Sequence, residues 1–176
     1  MMLKIDPFMN TVPTKMVSRV RRDTRYTHDK HLYRENMWIM FMRPKKEWRM
    51  YPCMWFEVCQ DSFSYGVGTY DVTPALMELY RKALLERSDE FLKAAKSAES
   101  IGAAFSAEEY KKPKPGTPSG ELQKYYNVKN LFFVKHRRDF KTLESDEIIK
   151  QLKEEYKAYA PMYKFLLSIS DEYISS

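Results

Sequence analysis

The residues best suited to chemistry are crowded into one stretch, Arg19-x-x-Arg22-Asp23-x-Arg25-Tyr26-x-x-Asp29-Lys30-x-x-Tyr33. Charges at this density are costly to bury unpaired. A guanidinium offers a planar fork that grips a carboxylate or phosphate through two parallel hydrogen bonds. A nearby carboxylate can hold that fork in place. One reading is therefore a site for a small anionic or phosphate-bearing ligand. Arg19, Arg22, Arg25 and Lys30 would supply charge, Asp23 and Asp29 would orient it, and Tyr33 would offer a hydroxyl. The other reading is an ion-pair network in which the aspartates neutralise their basic neighbours. The two are compatible. Electrostatic stabilisation by the arginines is the only catalytic device the stretch supports. No general base stands out, so whether the chain is an enzyme stays open.

The remaining reactive residues carry weaker signals. No Ser/His/Asp or Cys/His nucleophile order is recognisable. Cys53 and Cys59 lie six apart in an apolar run. An extended strand separates them by about 20 Å, too far for a disulfide. They read as reduced core thiols of a cytoplasmic protein, with pKa values raised by apolar surroundings. His28 and His31 flank Lys30, which would repel a cation, so no metal and no cofactor is expected. Glu154 and Glu155 read as helix-surface residues by period. KPKPGTPSG precedes a helix but lacks the phosphate-loop spacing.

Composition narrows the classes. The 176 residues are 44% apolar and 15% aromatic, enough for a real core, and we expect a single α+β domain over residues 1–176. No run approaches the ~18 apolar residues of a transmembrane helix, so no membrane partner is expected. The first residues have no apolar core and no small-residue cleavage site of a secretory signal. The net charge of +6 is unevenly spread: residues 1–60 carry +6, 61–100 carry −2, 101–141 carry +5 and 142–176 carry −3. If the two basic stretches meet, they form one positive surface. Basic charge with interleaved aromatics, from Arg19 to Tyr33 and from Lys129 to Arg138, also suits a nucleic-acid binder. Against this, most aromatics fall at apolar-face positions, which predicts burial, and no nucleic-acid-binding signature appears. A structural or interaction module is the third class. Oligomeric state is not legible.

These residues must be positioned by local elements. Residues 16–26 alternate as a strand with a highly charged face. Residues 37–43 read as an apolar strand buried on both faces. Residues 44–52 form a loop. Two aromatic runs joined near Asp61-Ser62 make a hairpin. In its second strand Gly66 and Gly68 share a face, where glycine signals close approach of a backbone or ligand. Thr73-Pro74 opens a helix that runs to about Lys96. A short strand within 101–112, a Pro/Gly-rich loop, a short helix near 119–127 and a strand near 130–137 follow. Ser145 caps a final apolar helical stripe that Pro161 breaks in two. This order predicts a mainly antiparallel sheet covered by helices, with a C-terminal helical segment.

The charged stretch resembles RxxRDxRFxxxDKxxY, the defining motif of a conserved bacterial domain family of unknown function, number 2461. The matching positions are Arg19, Arg22, Asp23, Arg25, Tyr26 in place of Phe, Asp29, Lys30 and Tyr33. Further pieces resemble the family: Gly68-x-Tyr70 and Pro74 at the step from hairpin to helix, Arg81 at its helical arginine, and Tyr110-Lys111-Lys112. Toward the end, Lys129-x-Leu131 and Ala158-x-Ala160-Pro161 with Phe165-Leu166 match as well. Family members usually carry a longer helical segment before the motif, which here is a short segment of about residues 1–15. Ser119-Gly120 stands where the family has His-Pro. The resemblance implies a family but no activity.

Overall fold

The computed structural model describes residues 1–23, 25–26, 28, 30–44 and 50–175. Two short helices, α1 (Met2–Ile5) and α2 (Pro13–Met16), precede strand β1 (Met37–Phe41). The hairpin β2 (Cys53–Val58) and β3 (Phe63–Thr69) follows, then helices α3 (Pro74–Glu86) and α4 (Ser88–Glu99). Strand β4 (Ala104–Ser106), helix α5 (Gln123–Tyr126), strand β5 (Leu131–Arg137) and the long helix α6 (Glu147–Ser175) complete the chain. The strands form one antiparallel sheet in the order β1-β2-β3-β5-β4. The fold is α+β, with helices on an antiparallel sheet and a C-terminal helix. Among the described residues no helix is long and apolar enough to cross a membrane.

Alternation decides which face meets the helices. Phe63, Tyr65 and Val67 of β3 align with Val58, Phe56 and Met54 of β2 and with Arg137, Lys135 and Phe133 of β5. This face enters a core shared with Tyr80 and Leu84 of α3, Phe91 of α4, Tyr125 of α5, and Tyr156, Tyr159 and Phe165 of α6. Aromatic rings contact edge-on through it, such as Phe91 with Tyr125 at 4.8 Å and with Phe165 at 5.4 Å. The tyrosines bring hydroxyls into this layer, and each finds a partner, as buried polar groups must. Tyr156 donates to the Trp55 carbonyl (2.7 Å) and Tyr80 to the Tyr125 carbonyl (3.0 Å).

Several expected elements form as read. The β2–β3 hairpin closes with the Cys59 amide on the Ser62 carbonyl (2.8 Å). Thr73 Oγ1 accepts from the Leu76 amide (3.2 Å) and Pro74 occupies the first turn. Ser145 Oγ accepts from the Glu147 amide at the start of α6 (3.3 Å).

Four expectations are corrected. Residues 37–43 are not buried on both faces. Strand β1 is a sheet edge and half-buried throughout. The helix opened by Thr73 does not run unbroken to Lys96 but turns at Arg87 (φ −122°, ψ 38°). Arg87 grips Glu90 with two nitrogens, donates to Ser168 Oγ (2.9 Å) and lies over Phe165. The turn lets both α3 and α4 lie against α6. Pro161 does not break the last helix, which continues from Glu147 to Ser175. A proline removes the bond to the carbonyl four residues back, here that of Lys157. Both residues are exposed, while Tyr156, Tyr159, Met162 and Tyr163 anchor the adjoining turns in the core. Tertiary packing therefore overrides the breaker. Finally, no continuous strand forms over 16–26. Thr24 of that stretch, and residues 45–49 of the loop 44–52, lie outside the described residues.

Gly66 and Gly68 answer to a neighbouring backbone rather than to a ligand. A Cβ on Gly66 would strike the Phe133 carbonyl oxygen of β5 and the Trp55 ring, and one on Gly68 the Leu131 carbonyl oxygen. The N-terminal segment is held by Asp6, which is 1% exposed. Its carboxylate accepts from Arg43 Nε (2.8 Å), the Tyr163 hydroxyl (2.8 Å) and the Phe8 amide (3.0 Å). Burial pushes the Asp6 pKa up, but these donors outweigh it and hold the group below the usual aspartate range.

Two outcomes follow. Gly66→Ala should destabilise the protein by roughly 1–3 kcal/mol in a urea titration, the usual cost of overpacking. Because the folded pKa of Asp6 is depressed, its stabilisation is complete above the unfolded value of about 4 and is lost as pH falls through the folded value. Urea midpoints should thus fall below about pH 4, and Asp6→Asn should flatten that dependence.

Candidate functional site

The motif residues lie on an excursion, residues 17–36, stitched to the edge of β1. Val17 forms a bridge with Ile39. The Ser18 amide donates to the Trp38 carbonyl (2.8 Å), and the Trp38 amide donates to Ser18 Oγ (3.0 Å). The chain then turns back on itself. The Arg22 amide donates to the Leu32 carbonyl (2.9 Å), the Arg34 amide to the Val20 carbonyl (3.0 Å), and Arg21 pairs with Tyr33. Isolated bridges replace the expected strand for a physical reason. Arginines occupy both of its faces, so neither face can be buried to support a ladder.

The structure brings part of the motif together. Asp23 takes Arg25 in a two-pronged ion pair, with Nε at 2.9 Å and a terminal nitrogen at 2.6 Å, and also accepts from the Arg25 amide. The Arg25 side chain is the largest influence holding the Asp23 carboxyl down to about 2. The Arg25 guanidinium also lies 5.4 Å from the Tyr26 ring centre. Arg19 and Lys30 are exposed and Arg22 is half-buried. Tyr33 is 57% exposed and Tyr26 86%. Asp29 lies outside the described residues. The expectation that aromatics are buried therefore fails at Tyr26 and Tyr33, because the described residues of the excursion contribute nothing to the core cluster.

Arg34, which the sequence reading passed over, completes the excursion. Its guanidinium carbon sits 4.7 Å from the Trp38 ring centre. Its Nε is buried and, among the described residues, has no hydrogen-bond partner. Within residues 17–36 six cations face three carboxylates. The result is an open, positive, donor-rich surface. Two concavities elsewhere are lined by other residues. One of about 400 Å³ involves Gly120, Glu121, Gln123 and Lys124, and a small cleft lies between Leu76, Leu131 and Ile169.

Other charged groups read from the sequence are structural. Glu155 is buried rather than on the helix surface. Its carboxylate accepts from the Tyr65 hydroxyl (2.7 Å), Lys135 (2.9 Å) and Gln151 (2.7 Å). Burial pushes its pKa up, but these donors hold it below the ordinary glutamate range. Arg81 is 2% exposed and donates to the carbonyls of Met77 (3.1 Å), Tyr126 (3.2 Å) and Val128 (3.1 Å). It ties α3 to the turn between α5 and β5. The one signal for these roles is a charged residue inside an apolar helical stripe, beside Tyr80 and Tyr156. Cys53 and Cys59 are free thiols, and burial pushes Cys53 up to about 12.

The sequence matches, over residues 1–165, the family described as "Conserved hypothetical protein (DUF2461)". No curated protein and no solved structure matches it.

Arg81→Met would strand the carbonyls of Tyr126 and Val128. Each buried acceptor left unpaired costs roughly 1–3 kcal/mol. The variant should lower the urea midpoint accordingly while leaving the excursion's surface unchanged.

Proposed function

The chain belongs to the DUF2461 family of conserved hypothetical proteins, and on that premise we propose that residues 17–36 form an open binding surface for a phosphate-bearing anion. The observation that carries this reading is the exposed Arg19, Arg25 and Lys30 with the half-buried Arg22 and Arg34 on one short excursion. The half-buried Arg34 guanidinium adds its charge to those of the exposed Arg19, Arg25 and Lys30, where a phosphate group would be held by several cations at once. Asp23 holds the Arg25 fork, Asp29 is its counterpart beside Lys30 in sequence, and Tyr33 offers a hydroxyl. No cofactor enters this reading. We also propose a bacterial, cytoplasmic setting, supported by the family's resemblance and by two free thiols.

The two-pronged Asp23–Arg25 pair favours a second reading, in which the cluster is only a local ion-pair network. A thermal-shift titration with pyrophosphate separates the two. A ligand at ~100 times its Kd adds about 2.7 kcal/mol, a rise of roughly 5–10 °C for a chain this long. On the proposed reading, pyrophosphate raises Tm, and Arg22→Ala and Arg25→Ala abolish the rise without lowering the unliganded Tm. No rise in the native protein, or variants that lose Tm while keeping the rise, would leave the network reading standing.

A further inference from the structure

The helices cover one face of the sheet. The opposite face is read directly from the strand register. Met40, Trp55, Gly66 and Val134 form one row across it, Trp38, Glu57, Ser64 and His136 a second, and Cys53, Gly68 and Phe132 a third. Trp38, Met40, Trp55 and Phe132 are half-buried and stand outside the main core cluster, while Cys53, Ser64, Gly66, Gly68 and Val134 between them are buried. Among the described residues, the helical members of that cluster all pack with the other face.

This second face is aromatic and specifically shaped. The two glycines of β3 leave no side chains at its centre. The Trp55 ring settles over Gly66, where a Cβ would collide with it. It meets Phe132 edge-on at 5.5 Å and 87°. Trp38 on the edge strand carries the Arg34 guanidinium, which joins the aromatic face to the basic excursion. His136 is exposed at the far end of the Trp38 row. The carboxylate on this face, Glu57, accepts from the Asn36 side-chain amide.

We propose that this face is a stacking platform for single-stranded nucleic acid. The proposal rests on the phosphate-binding reading of the excursion and names its ligand class. Trp55 and Phe132 take unpaired bases, Trp38 holds the Arg34 guanidinium beside them, and Arg34, Arg25, Arg22 and Arg19 take the phosphates that follow. Charge selects this occupant. A second copy of a chain carrying +6 would bring like charge against the same arginines. A polyanion with flat apolar bases complements both parts of the surface. Open antiparallel sheets bearing aromatic side chains use the same physics, since every base has a face to stack.

The test uses the full chain and two fluorescent strands of equal length, about 12 units each: oligothymidylate and an abasic phosphodiester of the same charge. Anisotropy is followed at low and moderate salt. Oligothymidylate should bind at least about tenfold tighter than the abasic strand, since stacking adds to the phosphate contribution. Trp55→Leu and Phe132→Leu should each remove most of that preference and leave abasic binding intact. Arg25→Ala should weaken both strands alike and flatten the salt dependence. The comparison of the two strands needs no variant, so a misfolded substitution does not blunt it. Equal binding of the two strands overturns the platform and leaves the anion surface standing. Binding of neither strand, with pyrophosphate still raising Tm, overturns the platform alone. Loss of the pyrophosphate response as well overturns both readings. Dimerisation abolished by Trp55→Leu would assign the face to a second copy and overturn the proposal.

Discussion

The organisation of this protein depends on one constraint: an antiparallel sheet of five strands that packs its helices against a single face. Every large helix packs on that side, and the central strand β3 supplies Phe63, Tyr65 and Val67 to the shared core. A layer rich in tyrosine brings polar atoms with its apolar area, so packing and hydrogen bonding must be solved together. Helix α6 does this by placing Tyr156 and Tyr159 against the sheet, where their hydroxyls meet the carbonyls of Trp55 and Tyr65. Bonds of this kind fix the helix in register as well as in contact. They also explain how a helix with an internal proline stays whole.

Buried charges tie the parts of this layer that lie far apart in sequence. Asp6 and Arg43 join the N-terminal segment to the end of α6 through Tyr163 and Asp171. Glu155 and Lys135 join α6 to β5, and Arg81 joins α3 to the approach to β5. Each such charge is surrounded by partners, which is the condition under which a charge can be buried at all. These three cations, Arg43, Lys135 and Arg81, lie outside the excursion. Arg19, Arg25 and Lys30 are exposed on the excursion beside β1.

That edge position has its own logic. An exposed edge strand invites pairing with another chain, and charged residues beside it discourage this. The excursion protects β1 through the bridge at Val17 and the paired bonds of Ser18 with Trp38. It brings arginines to the rim of the second face at the same time. Arg34 on Trp38 is the point where basic rim and aromatic face meet. Helix packing on one side thus produces both halves of the proposed surface: the aromatic second face and the charged margin next to it.

Local chemistry was legible wherever one element decides it. The β2–β3 hairpin, the Thr73-Pro74 and Ser145 starts, the strand near 130–137 and the α+β class follow from periodicity and capping, which act over a few residues. The close approach at Gly66 and Gly68 was legible as well, though not what approaches. The excursion could be located by its residue types, but its conformation could not. Charges on both sides of a would-be strand defeat the alternation rule, and bridges to distant residues set the path instead. Burial of Glu155 and Arg81, continuity through Pro161 and the turn at Arg87 belong to the tertiary structure alone. In each case partners remote in sequence supply hydrogen bonds or apolar contacts that outweigh a local preference. The aromatic second face was hidden for the same reason. Trp38, Trp55 and Phe132 share a surface only once three strands are aligned in register.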